Sequence, residues 1–307
     1  MRVAGIDCGT NSIRLLVCDI DGGRLTDVVR RMEIVRLGEG VDKTGRLSQA
    51  ALDRTRKALT DYAAQLRELG AERVRMVATS ASRDAANAAE FTAMVTSILG
   101  VAPEVITGDE EAALSFGGAV RGLPPEIEAP FLVADIGGGS TEFVLGDKAV
   151  TAARSMDIGC VRMTERHLHD DPPTAAQVAA ATADIAAAVD TGLSTVDPGR
   201  TARTLVGLAG SVTTVTALAL GLGEYEPERI HHARVSYDDV ARVTGELLAQ
   251  TSAQRLAHGV MHPGRADVIG AGALILRVLM ERSGAGEVIA SEHDILDGIA
   301  WSVADQP

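Results

Sequence analysis

Asp135-Ile136-Gly137-Gly138-Gly139-Ser140 decides how the rest of this 307-residue chain is read. The same D-x-G-x-x-S pattern stands 128 residues earlier, as Asp7-Cys8-Gly9-Thr10-Asn11-Ser12. Each copy follows a short apolar run, Val3-Ala4-Gly5-Ile6 or Leu132-Val133-Ala134, and each leads into a second one, residues 13–17 or 141–145. Self-similarity at one domain's length, in matching contexts, marks a duplicated structural unit. The expectation is an α/β chain of two similar lobes, each a mixed β-sheet flanked by helices, with the glycine loops facing a cleft.

Outward from the loops, strands and helices alternate, which is the pattern of α/β sheets. In the first half, residues 2–6, 15–20, 27–37, 74–78 and 104–106 read as strands. Ser48 caps a long amphipathic helix that Gly70 stops, and residues 87–99 and 110–120 read as two more helices. Pro124-Pro125 and Pro130 mark the domain boundary, with one lobe over 1–127 and the other over 128–307. In the second lobe, residues 131–134, 142–145, 149–155, 204–208 and 287–290 read as strands. Thr174-x-x-Gln177 is a capping box that opens an Ala-rich helix to about residue 193. Helical patterns follow at 212–220, 237–250, 265–283 and 295–303, and the last of these is expected to pack back on the first lobe.

The charge balance is 29 Lys and Arg against 42 Asp and Glu, a net −13. A general nucleic-acid or anionic-membrane surface needs clustered basic residues, so both are excluded as partners. Aromatic residues are 3% of the chain, too few for a base-stacking platform. Cys8, Cys18 and Cys160 form neither a disulfide scaffold nor a C-x-x-C pair. No leader-like segment opens the chain and no run approaches ~18 apolar residues. The expectation is a cytoplasmic protein.

The glycine loops carry the chemistry. A tight glycine turn between strands exposes successive backbone N–H groups, and such a nest binds phosphate oxygens. Gly137, Gly138 and Gly139 remove the Cβ atoms that block close approach, while Asn11, Ser12, Ser140 and Thr141 add side-chain donors. Asp7 and Asp135 suit a hard cation, since Mg²⁺ takes one or two carboxylates together with phosphate oxygens. A third turn, Ala209-Gly210-Ser211, opens a helix whose N–H groups favour an anion. Gly270-Ala271-Gly272 reads as close helix packing. No Walker G-x-x-x-x-G-K-[ST], no G-x-G-x-x-G after the first strand, no G-x-S-x-G and no H-E-x-x-H is present. His258 and His262 are flanked by Gly259 and Pro263, which spoil a helical zinc pair, and His231, His232 and His293 read as surface or packed residues.

The two loops with the Ala209-Gly210-Ser211 turn resemble the superfamily of actin, the Hsp70 chaperones and the sugar and acetate kinases, which implies actin-like (ribonuclease H-like) lobes and an active site in the cleft. Asp7-Cys8-Gly9-Thr10-Asn11-Ser12 is similar to the D-x-G-[ST]-N-S opening of the exopolyphosphatase/guanosine pentaphosphate phosphatase (Ppx/GppA) family. Ala78-Thr79-Ser80-Ala81-Ser82-Arg83-Asp84-Ala85-Ala86-Asn87 resembles its A-T-x-x-x-R-x-A-x-N segment, Gly108-Asp109-Glu110-Glu111-Ala112 its G-x-E-E-A segment, and residues 135–142 its D-I-G-G-G-S-T-E segment. Gly159-Cys160-Val161-Arg162 and Arg265-Ala266-Asp267-Val268-Ile269 also fit. The resemblance spans nearly the whole chain.

It implies metal-dependent hydrolysis of the terminal phosphate of inorganic polyphosphate. Glu111 would activate the water and touch the metal, and Arg83 would clamp phosphate. Asn11, Ser12, Gly137, Gly138, Gly139 and Ser140 would cradle phosphate, and Asp7 and Asp135 would hold Mg²⁺ or Mn²⁺. Glu110 is read as a helix-start residue, and Arg162 and Arg265 as a basic path along the polymer. Family members often carry Leu-Arg-Glu-Gly near the end where this chain has Leu296-Asp297-Gly298, and the chain lacks the longer members' C-terminal helical region. It therefore resembles the short two-domain type and is expected to favour short polyphosphate. Guanosine pentaphosphate is the competing substrate, and a sugar-kinase-like enzyme or a non-catalytic sensor are the competing activities. The Ala-rich second half leaves room for a homodimer interface.

Overall fold

The computed structural model describes residues 1–22, 24–78 and 80–304. Gly23, in the turn after the second strand, and Thr79, in the segment read above, lie outside the described residues. The fold divides into two compact units, Met1–Gly118 together with the chain from Ile295 onward, and Ala119–Asp294.

The first unit is built on five strands: β1 (Arg2–Cys8), β2 (Ser12–Asp21), β3 (Arg24–Ile34), β4 (Arg73–Ala78) and β5 (Glu104–Val105), in the order β3-β2-β1-β4-β5. β1 pairs antiparallel with β2 and parallel with β4, so the sheet is mixed. Side chains of β2 alternate between two apolar layers, as a strand covered on both faces requires. Ile13, Leu15 and Val17 pack with Leu52, Leu59, Tyr62 and Leu66 of the helix Gln49–Leu69. Leu16 and Cys18 pack with Leu296, Ala300 and Val303 of the last helix, Ile295–Ala304. The long helix has the expected ends: Ser48 Oγ accepts from the Ala51 N–H, and Gly70 takes the left-handed conformation that closes the C-terminus.

The departure at Leu296-Asp297-Gly298 also has a structural account. Asp297 is buried, and its two oxygens accept from Nη2 and Nη1 of Arg30 on β3, at 2.5 and 3.2 Å. A Cβ at Gly298 would overlap the Leu114 carbonyl. Asp297 ties the last helix to the first sheet, and Gly298 lets it lie close against the helix Gly108–Val120.

The second unit has six strands: β6 (Phe131–Ile136), β7 (Thr141–Gly146), β8 (Val150–Met156), β9 (Thr204–Leu208), β10 (Arg234–Ser236) and β11 (Glu287–Ala290), in the order β10-β11-β9-β6-β7-β8. Read from its other edge, β8-β7-β6-β9-β11 repeats β3-β2-β1-β4-β5, with the same antiparallel pairs and the same parallel pair at the centre. The duplication read from the two loops is thus a duplication of the sheet, with β10 added at the edge. Thr174 and Gln177 form the expected capping box ahead of the helix Ala175–Val196, which packs with Ile269–Ser283 against the sheet.

Two expectations are corrected. The helix read from residue 265 begins at Ile269, because Pro263 opens a separate 3-10 turn over Pro263–Arg265, with the Gly264 N–H donating to His262 Nδ1. A helix over Cys160–His167 was not anticipated; its eight residues are too few for apolar periodicity to show. Among the described residues no helix is long and apolar enough to cross a membrane.

Candidate functional site

The glycine loop of the second unit is held from behind by the helix Cys160–His167. The Cys160 N–H donates to the Gly137 carbonyl at 2.9 Å, and the Val161 and Arg162 N–H groups donate to the Gly138 carbonyl at 2.9 and 3.1 Å. Arg162 Nε donates to the Gly139 carbonyl at 2.7 Å. In a trans peptide the carbonyl of one residue and the N–H of the next point in opposite directions. Three successive carbonyls turned toward one helix therefore turn the N–H groups of Gly138, Gly139 and Ser140 away from it. That is an anion nest. Gly159 makes the approach possible, since a Cβ there would overlap the Gly138 carbonyl and lie 2.6 Å from the Gly139 carbonyl carbon.

The loop of the first unit is built the same way with other material. Gly9 N–H donates to the Ser12 carbonyl at 3.0 Å, and its counterpart Gly137 N–H donates to the Ser140 carbonyl at 3.0 Å. The Thr10 carbonyl accepts from Gly38, and the Asn11 carbonyl accepts from Val35 and Arg36, so the N–H groups of Asn11 and Ser12 point the other way. Here the backing is the chain leaving β3, not a helix.

The aspartates stand in equivalent strand positions but in different company. Asp7 is buried opposite Arg14 on β2, and its Oδ2 accepts from Arg14 Nε at 3.0 Å and Nη2 at 2.6 Å. Asp135 is buried opposite Glu142 on β7, itself buried, with its Oε1 accepting from Ser155 Oγ at 2.8 Å. Arg14 was missed, and Glu142 and Gly159 stood within quoted motifs without a role of their own. Arg14 and Glu142 each stand seven residues after their aspartate, and strand register alone places them opposite. Beside Asp7, burial first and the Asp7 charge second push the Cys8 thiol up, so it stays protonated at neutral pH.

The structure brings Arg83 and Glu111 together in the first unit. Glu111, in the first turn of the helix Gly108–Val120, is buried, and its Oε2 lies 3.7 Å from Arg83 Nη1. The same Nη1 donates to the Ile106 carbonyl at 2.8 Å, which fixes the guanidinium. Glu110 faces elsewhere: its carboxylate is exposed and pairs with Arg75 Nη2 at 2.9 Å, while its N–H is capped by Thr107 Oγ1. Adjacent glutamates thus differ in burial and in partner.

At the third turn, Ala209 has φ 67°, a left-handed conformation uncommon for a residue with a Cβ, at the head of the helix Ala209–Ala219. The Arg265 guanidinium lies over Gly210 where a Cβ would overlap it, and Nη1 reaches Thr214 Oγ1 at 3.4 Å. Gly272 lies against Ser211 and Cys160, as close helix packing requires. His258 and His262 serve local bonds to Gln250 and Gly264. Among the described residues no group of three or more His, Cys, Asp and Glu is arranged to hold a metal.

Comparison with known proteins matches the model of the Ppx/GppA phosphatase family over residues 16–306. Exopolyphosphatase 2 of Mycobacterium tuberculosis is 54% identical over 316 residues, covering 99% of this chain and 98% of the relative. Among solved structures, an exopolyphosphatase-like protein is 44% identical with a TM-score of 0.95, covering 98% of this chain and 97% of its own. An exopolyphosphatase from Cytophaga hutchinsonii is 26% identical with a TM-score of 0.88, covering 99% and 98%.

Proposed function

The chain belongs to the Ppx/GppA phosphatase family, and from that premise we propose that it is an exopolyphosphatase, releasing the terminal phosphate of inorganic polyphosphate. Its enzyme class is that of a phosphatase hydrolase. The observation that carries the substrate reading is the loop Gly137-Gly138-Gly139-Ser140, whose three glycine carbonyls are taken up from behind so that three N–H groups turn away from the backing helix. Phosphate oxygens suit that array, and backbone donors reconcile a polyanionic substrate with a protein of net charge −13. Asn11 and Ser12 supply the corresponding N–H groups of the first loop.

Glu111 takes the proton of the attacking water. It is the buried member of the glutamate pair, and it sits beside the fixed Arg83 guanidinium, a group whose shape and charge suit phosphate oxygens. The family implies a divalent cation, Mg²⁺ or Mn²⁺. We read it at Asp135, where a second buried carboxylate, Glu142, stands directly opposite, since hard cations take carboxylate oxygens. Asp7 and Glu111, also read as ligands, each have an arginine beside them. When bound, the cation neutralises phosphate charge and makes a bound water more acidic. The reading carries with it a preference for short chains, a homodimer and a cytoplasmic setting.

The test is phosphate release measured side by side on short polyphosphate, long polyphosphate and guanosine pentaphosphate, with and without Mg²⁺. Release from polyphosphate that needs the cation, faster on short chains, is the expected result. Release from guanosine pentaphosphate alone replaces the reading with a 5′-phosphatase. Transfer to a sugar replaces it with a kinase, and binding without turnover with a sensor.

A further inference from the structure

Three histidines of the second unit, none of them used above, lie ring against ring with tilted planes, 31° between His231 and His232 and 42° between His231 and His293. The His231 and His232 ring centroids are 3.6 Å apart, and those of His231 and His293 are 4.5 Å apart. The backbone forces the arrangement. His232 has φ 63° and is tied by its N–H to the Ala290 carbonyl at 2.7 Å, while His293 is held in a turn closed by Ser291 Oγ. His232 Nε2 is buried with no hydrogen-bond partner.

One contact gives the stack a direction. The Glu292 N–H donates to His231 Nδ1 at 3.2 Å, so that nitrogen carries a lone pair and no proton. The Glu292 side chain continues the chain: its Oε1 accepts from the Tyr225 hydroxyl at 2.6 Å, and that hydroxyl lies 2.7 Å from Thr213 Oγ1. With Tyr225 spending its one proton on the carboxylate, the Thr213 hydroxyl donates to Tyr225. Thr213 is buried near the head of the helix Ala209–Ala219, just after the strained third glycine turn.

We propose that His231 is a proton-sensitive positioning residue: neutral, it holds the Glu292 main chain and, through Glu292 and Tyr225, the Thr213 hydroxyl and the turn at Ala209-Gly210-Ser211, and protonation of the histidine stack releases that chain. A protonated Nδ1 cannot accept from the Glu292 N–H, and a second imidazolium at about 4 Å adds repulsion between like charges. Burial first and His293 second hold His232 below the ordinary histidine range, with Glu126 opposing. An unfolded chain charges this histidine below about pH 6.5 while the folded one resists, so the stability His232 contributes is kept above that pH and declines below it. The charged neighbours are Glu292, committed to Tyr225; Asp294, buried two residues on; Glu126, ahead of β6; and Arg229, on the helix Pro227–Ile230 and paired with Glu226.

The functional readout rests on the exopolyphosphatase reading; the spectroscopic one does not. His231→Asn keeps an acceptor near the place of Nδ1 but cannot titrate, and His231→Ala removes the acceptor. Between pH 7 and pH 5, wild-type kcat on short polyphosphate is expected to fall about tenfold, the scale of a mispositioned group. The Asn variant is expected to flatten that fall, and the Ala variant to be slow across the range. In a ¹H–¹⁵N titration the Glu292 amide should move with the His231 ring in the wild type and stay still in His231→Asn. An Asn variant that falls with pH as the wild type does, or a Glu292 amide that does not follow His231, overturns the proposal. An amide that follows His231 in a protein that releases no phosphate leaves the positioning chain standing and removes the function proposed above.

Discussion

The two D-x-G-x-x-S loops share a backbone path and differ in what stands behind it and across from it. In both, the first glycine N–H closes on the carbonyl three residues on, at 3.0 Å. Behind the first loop runs the chain from Val35 to Gly38; behind the second stands the N-terminus of the helix Cys160–His167. Across from the first aspartate is Arg14; across from the second is Glu142. A duplicated frame has thus kept the same turn in both copies and set the neighbouring aspartate opposite an arginine in one and opposite a glutamate in the other. Aspartate in a repeated motif does not by itself indicate a cation site; its cross-strand partner decides.

The largest expected effect lies outside both loops. Glu111→Gln keeps the shape of the side chain and removes its basicity, so turnover of short polyphosphate is expected to drop at least ~10²-fold with the melting temperature nearly unchanged. Phosphate release near the wild-type rate from a folded Glu111→Gln protein removes Glu111 from the chemistry and leaves the loops to be judged alone.

The next two substitutions compare the loops directly. A Cβ at Gly159 overlaps backbone, the Gly138 carbonyl, whereas a Cβ at Gly38 overlaps the Thr10 methyl, which can turn aside. Gly159→Ala must shift the loop, and a displacement of ~1 Å is expected to cost about 10- to 100-fold in kcat/KM. Gly38→Ala is expected to cost several-fold less. Equal losses in the two variants indicate that both loops hold phosphate with equal precision, and the difference in backing then has no functional meaning.

What was legible in the sequence was what is local. Gly137-Gly138-Gly139 and its counterpart at Gly9 read as turns between apolar runs, and their matching flanks announced the duplicated sheet. Ser48 and Thr174 announced their helices because a cap is satisfied within three residues. Arg14 escaped notice, and Glu142 was quoted without a role, because the meaning of each lies across a strand pair. Gly159 was quoted within its segment without a role because nothing local requires it; its reason is a carbonyl some twenty residues back in the chain. His231 and His293 lie far apart in sequence, and only β10 pairing with β11 brings their loops together.

Arg14 and Glu142 allow a sharper test of the difference between the two copies. Arg14→Met leaves Asp7 buried without the guanidinium that neutralises it, so it is expected to lower stability by about 3 kcal/mol, measured by urea unfolding. Removing Mg²⁺ is expected to leave that loss unchanged, since the partner of Asp7 across the strands is the Arg14 guanidinium. A loss of stability that Mg²⁺ repairs places a cation beside Asp7 and makes the two copies alike.

The smallest effect is expected one residue from the largest. Glu110 shares its helix turn with Glu111, yet its carboxylate is exposed and lies 2.9 Å from Arg75, which also binds Glu104 at 2.6 Å. An exposed pair with a second acidic partner in place is worth at most about 1 kcal/mol. Glu110→Gln is accordingly expected to change phosphate release by less than about twofold, with any loss appearing as a small drop in melting temperature that high salt hides. The contrast follows from helix geometry: adjacent residues point about 100° apart, so one turn directs one carboxylate inward beside Arg83 and the other outward to Arg75. A Glu110→Gln protein as slow as Glu111→Gln would mean that the two glutamates act as one acidic unit and that burial is a poor guide to which of them meets the water.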